Sequence, residues 1–99
     1  KSDTYLITYE LYQIQRPIDE IAEERNLKSI TVFSHLARLY TEGKNIDLMQ
    51  FISNADVDKV RIAKEKLNNP PALKPYFEYF NETMDYHKIR LALTIIEKE

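Results

Sequence analysis

Through most of the 99 residues, apolar positions recur at steps of three and four, the spacing that gathers side chains on one side of an α-helix. Thr4 can cap a first helix, in which Leu11, Tyr12 and Ile14 fall at that spacing before Pro17 interrupts it near Gln15. Pro17 then helps start a second, short helix over 18–25. Its apolar pair is Ile21 and Ala22, and Asp19 and Glu20 complement its N-terminal dipole. Asn26 tolerates the left-handed backbone that a sharp turn requires, and Leu27 can plug the angle between helices. Ser29 is the expected cap of a third helix over about 30–42, with Val32, Leu36 and Leu39 facing inward and Gly43 ending it.

Beyond this trihelical unit (1–44), "NIDLMQFI" predicts a short amphipathic helix begun by Asn45 or Asp47, with Leu48, Phe51 and Ile52 turned inward. A longer helix starts near Asp56. Its stripe is Val57, Val60, Ala63 and Leu67, and it ends in Asn68-Asn69-Pro70-Pro71. Two further helical patterns cover 73–80 and 86–97, with Asp85 as the cap of the second. The Tyr76, Phe77, Phe80 cluster is expected to face an Ile89, Leu93, Ile96 stripe across that corner. The predicted class is therefore all-α: a trihelical unit followed by three to four short helices (45–99), packed as one domain. A single glycine, Gly43, agrees with this, because tight hairpins draw on glycine or asparagine.

Composition narrows the chemistry. Cysteine is absent, so disulfides and thiolate metal sites are excluded, which fits an intracellular, cytoplasmic protein. With 30% charged residues the chain is too polar to span a membrane. It starts Lys1-Ser2-Asp3, without methionine or an apolar signal segment, and is read as a piece of a longer protein. Net charge is -2, but it is unevenly spread. Residues 1–27 hold three basic and six acidic groups, 28–74 hold eight and five, and 75–99 hold three and five. A polyanion would meet the middle.

Enzyme signatures are missing: no phosphate loop, no GxSxG elbow, no HExxH. His35 and His87 lie on separate helices without acidic partners at ligand spacing, so no metal is expected and His35 is read as a core-boundary residue. The acidic group Asp19, Glu20, Glu23, Glu24 is read as a solvated helix face. Tyr5, Tyr9 and Tyr12, at steps of four and three, read as a packing face.

A short second helix, the small Ala22, the Asn26-Leu27 turn and the apolar spacing of the third helix together describe a helix-turn-helix. Its outward positions are expected to be Lys28, Ser29, Ile30, Phe33, Ser34 and Arg38, with Lys44 beyond. Lys28, Arg38 and Lys44 can meet phosphates, and Ser29 and Ser34 can donate to phosphate or base edges. Ile30 and Phe33 suit a protein partner better than a base pair.

The stretches "TYELYQIQRPIDEIAEERNLKSITVFSHLARLYTEGKNIDL" and "LKPYFEYFNETMDYHKIRLAL" resemble the helix-turn-helix domain at the C-terminus of bacterial RecQ-type ATP-dependent DNA helicases. The resemblance runs over roughly 4–96 and places Ile21, Ala22, Arg25, Leu27, Ser29, Thr31, His35 and Leu36 on the motif. Arg16-Pro17 departs from it, standing where a glycine-containing turn is commoner. The resemblance implies a non-catalytic accessory module. It would assist DNA binding in replication, recombination or repair, while the motor of the parent protein uses ATP and Mg²⁺ elsewhere. The alternative is an interaction module docking on the helicase core or on a repair protein.

Overall fold

Local backbone chemistry explains where each helix of the computed structural model begins and ends. The structure describes residues 3–99, which fall in two compact units, 3–46 and 47–99. Among the described residues there are six α-helices and one 3₁₀ turn, and no strand.

In the first unit, α1 spans Thr4–Gln13. Its cap is Asp3 and not Thr4: the Asp3 carboxylate accepts from the Tyr5 and Leu6 amides at 2.9 and 3.3 Å, two donors that the helix cannot satisfy itself. α2 spans Ile18–Arg25 and α3 Ser29–Thr41. Asn26 sits in the left-handed region (φ 55°) as the turn between them requires. Leu27 packs with Ile21, Ala22 and Val32, joined by Leu11 and Ile18, so the turn residue anchors the core. Ile21, Val32 and Leu36 are fully buried.

α1, α2 and α3 all end in the same way. A left-handed residue (Gln15, Asn26, Gly43) donates its amide three residues back, to Tyr12, Glu23 and Tyr40. The amide after it donates five residues back, to Leu11, Ala22 and Leu39. This double bond satisfies carbonyls that would otherwise be orphaned. In the second unit Asn68 and Asn81 close α4 (Asn54–Lys66) and α5 (Lys74–Tyr79) by the same pattern. One glycine therefore suffices for five such ends, because asparagine supplies three of them.

In the second unit the expected amphipathic helix over "NIDLMQFI" is only a 3₁₀ turn, Leu48–Gln50. Asp47 caps it through the Met49 amide at 3.2 Å, and Ser53 already caps the next helix through Asp56 N at 3.1 Å. So few residues between two caps leave room for one turn. Leu48 and Ile52 are nevertheless buried, as their spacing predicts.

α4 spans Asn54–Lys66, with Val57, Val60 and Ala63 buried. α5 spans Lys74–Tyr79, and α6 spans Tyr86–Lys98. Phe77 stacks on Tyr86 at 4.4 Å, while Tyr76 and Ile89 are fully buried. α6 differs from its predicted stripe. Leu91 and Ala92 are buried with Ile89, whereas Leu93 and Ile96 are half-buried. Asp85 occupies the cap position of α6 without a side-chain capping bond.

Candidate nucleic-acid interface

Seen down its axis, α3 is buried over more than half its circumference. At about 100° per residue, the arc from His35 through Val32 and Leu36 to Ala37 is closed to solvent. The opposite arc carries Ile30, Thr31, Ser34, Arg38, Thr41 and Glu42, half-buried or exposed. This is the wet face that the helix-turn-helix geometry presents outward.

Of the five residues expected to contact DNA, Ser34 and Arg38 lie on this face, Lys28 and Ser29 stand at the N-terminal end of α3, and Lys44 lies past its C-terminal end. Lys28 is exposed at the N-cap of α3. Ser29 is the first helical residue and not the cap. Its hydroxyl donates to Asp19 Oδ1 at 3.3 Å, so it faces a carboxylate. Ser34 is half-buried near mid-helix. Arg38 is exposed but engaged: Nε donates to Glu42 Oε2 at 3.2 Å, one Nη to the Tyr5 hydroxyl at 3.3 Å, and the guanidinium lies 4.5 Å from the Tyr5 ring centroid. The Glu42 bond, then Tyr5, holds its pKa above the ordinary arginine value, so it is always charged. Lys44, just past the α3 end, has Nζ 5.9 Å from the Tyr9 ring centroid.

The proposed partner-binding pair does not survive intact. Ile30 is 37% exposed, but Phe33 is only 9% exposed and belongs to the core. The physical reason lies in its position. Phe33 is three residues before Leu36 and four before Ala37, both buried, so the inward arc is wide enough to take the ring out of water.

Behind the wet face runs a polar chain that sequence reasoning missed. Arg25 donates to the Thr4 carbonyl at 2.7 Å, to Thr4 Oγ1 at 2.7 Å, and to the buried Thr8 hydroxyl. Thr8 Oγ1 is 2.9 Å from His35 Nδ1. Burial lowers the His35 pKa, and the nearby Arg25 charge lowers it further. The ring is therefore neutral near pH 7. Tyr5 meets it edge-on at 4.7 Å and so links the buried chain to Arg38. The only sequence signal was Arg25 standing in the last turn of α2, with Thr8 and His35 at inward positions.

Charge gives the unit a side. A groove of about 490 Å³ between α1 and α2 is lined by Ile7, Glu10, Leu11, Ile14, Glu24 and Arg25. Glu24 is salt-bridged to Arg16, and Arg25 is held by Thr4 and Thr8, so no free cation lines this groove. Lys28, Arg38 and Lys44 are exposed cations at or just beyond the ends of α3, and Lys59, Lys66 and Lys74 are exposed in the second unit. Among the described residues no group of three or more His, Cys, Asp or Glu is gathered as a metal site, and no helix is long and apolar enough to cross a membrane.

A family model described as a helix-turn-helix domain matches residues 4–93. No curated protein and no solved structure matches the chain.

Proposed function

Because the chain belongs to the helix-turn-helix domain family, we propose that it is a non-catalytic nucleic-acid-binding module that holds DNA mainly through backbone phosphates. The observation that carries this reading is the placement of cations at the two ends of α3. Lys28 opens the helix, Arg38 stands near its end and Lys44 lies just beyond. At 1.5 Å per residue, Lys28 and Arg38 are about 15 Å apart, comparable with a major groove about 12 Å wide. A helix lying in the groove would bring its ends to the two phosphate walls. Between them Ile30 and Ser34 offer an aliphatic group and a hydroxyl, which read sequence poorly.

The finer reading follows the resemblance to RecQ-type helicases. Here the domain is a C-terminal accessory that helps a cytoplasmic, ATP- and Mg²⁺-driven motor keep hold of DNA during replication, recombination or repair. Docking on the helicase core through Phe33 would require that ring to leave its buried position.

Titration of the chain with forked and duplex DNA at several salt concentrations tests the proposal. Three phosphate contacts imply a slope of log K against log[salt] of about -2.7. Arg38→Ala should weaken binding to all sequences alike and reduce that slope by about one. Undetectable binding at low salt, or affinity indifferent to salt, would overturn the reading.

A further inference from the structure

Two tyrosines read from sequence as packing residues do something more specific. Tyr5 and Tyr9 are one turn apart on α1, so their rings are neighbours on one face, about 6 Å along the axis. Each ring lies against one cation from the α3 end: Tyr5 against Arg38 at 4.5 Å and Tyr9 against Lys44 at 5.9 Å. Both rings are half-buried, which fixes the aromatic faces while leaving the cations exposed. Glu42, also exposed, accepts from Arg38 Nε at 3.2 Å.

We infer that the nucleic-acid surface extends from α3 onto α1, where Tyr5 and Tyr9 hold Arg38 and Lys44 as a ledge for neighbouring phosphates of one strand, and that Glu42 competes with phosphate for Arg38. The inference rests on the nucleic-acid reading above. Its physical content is pre-organisation. A long cationic side chain normally loses rotamer freedom when it binds phosphate, and a ring already beneath it removes part of that loss. The rings add no charge, so they act on affinity without adding a counterion to the count released. The Glu42 carboxylate is acceptor-only and resembles a phosphate oxygen to the guanidinium. DNA therefore has to displace it. Tyr5 and Tyr9 are positioning residues in this scheme; Arg38 and Lys44 touch the phosphate.

The salt dependence separates a positioning role from a charge contact. Anisotropy titrations of the full chain against a short DNA duplex, at several salt concentrations, would compare Tyr9→Leu, Tyr9→Phe and Glu42→Gln with the parent chain. Tyr9→Leu is expected to weaken binding about two- to five-fold with the salt slope unchanged, the range of an exposed cation–π contact. Tyr9→Phe should restore affinity, since the ring and not the hydroxyl carries the contact. Glu42→Gln should tighten binding about two-fold by releasing Arg38. Should Tyr9→Leu lose its helical circular dichroism, Glu42→Gln and Tyr9→Phe still decide the matter. If the parent chain binds in a salt-dependent way but Glu42→Gln leaves affinity unchanged, or Tyr9→Phe weakens binding as much as Tyr9→Leu, the ledge is overturned and the broader reading stands. If the parent chain itself does not bind at low salt, both fail.

Discussion

The Thr8 hydroxyl oxygen lies 2.9 Å from Nδ1 of His35, a buried contact that ties α1 to α3. The same hydroxyl accepts from Arg25, so one threonine joins all three helices of the first unit. Burial, and then the Arg25 charge, disfavour a second proton on His35. A protonated ring would carry its charge into a desolvated site and toward a guanidinium.

This dictates how stability responds to pH. The folded-state pKa of His35 lies below its ordinary value of 6.5, so beneath that pH the unfolded chain takes up a proton the folded chain resists. The stabilisation is full above 6.5 and is lost as pH falls through the window beneath it. His87 is shifted in the same direction, chiefly by burial, and adds to the trend. Urea-unfolding free energies measured at about pH 8 and about pH 5.5 should show the chain weaker at the lower value. His35→Gln should flatten part of this slope; an undiminished slope would assign it to other groups.

Phe33 provides a sharper mechanical test. With 9% of its surface exposed, truncation to alanine should cost about 3–5 kcal/mol in an unfolding titration. Phe33→Asp should prevent folding in a domain whose whole stability is of order 5–15 kcal/mol. Retention of a native thermal transition by Phe33→Asp would show the ring to be a surface group after all.

The Tyr76 hydroxyl is buried and finds no hydrogen-bond partner among the described residues, and burial raises its pKa, with Glu97 adding to the shift. Tyr76→Phe removes an unsatisfied polar atom while keeping the ring. It should therefore be neutral or raise stability by up to about 1–2 kcal/mol. A loss of more than about 1 kcal/mol would reveal a partner for that oxygen.

Gln15 ends α1 at φ 66°, a conformation that costs a residue with a β-carbon roughly 1–2 kcal/mol. Gln15→Gly relieves that strain but frees the unfolded chain, for a net gain of about 0.5–1 kcal/mol. Asn26, at φ 55°, should tolerate glycine but lose stability as valine, whose branched side chain is hardest to place there. Thermal melts of these variants check the order.

Much of this was legible in the chain. α2 runs over Ile18–Arg25 as its dipole-complementing acids and Asn26 indicate, and Ala22 and Leu27 pack where the turn geometry asks. These features are local: a left-handed residue, a small residue and a period of 3.6 are written within a few positions. Phe33 was not legible because periodicity locates the middle of a buried stripe and not its width. The Arg25–Thr8–His35 chain and the Tyr5–Arg38 and Tyr9–Lys44 pairs escaped for a related reason. They join residues on different helices, and helix crossing sets their meeting. The cap of α1 fell one residue earlier than Thr4, on Asp3, where adjacent polar residues compete for one role, and the N-cap position of α3 fell on Lys28, without a side-chain capping bond, instead of Ser29.

On the proposed nucleic-acid role, the helix ends have a consequence for how the module lets go of its ligand. Five corners are fixed by backbone torsion and uncharged amides, at Gln15, Asn26, Gly43, Asn68 and Asn81. Counterions have little purchase on any of them. A rise in ionic strength that stripped nucleic acid from the cations of α3 would thus leave these corners folded, so cargo could be shed and taken up again with no refolding between cycles.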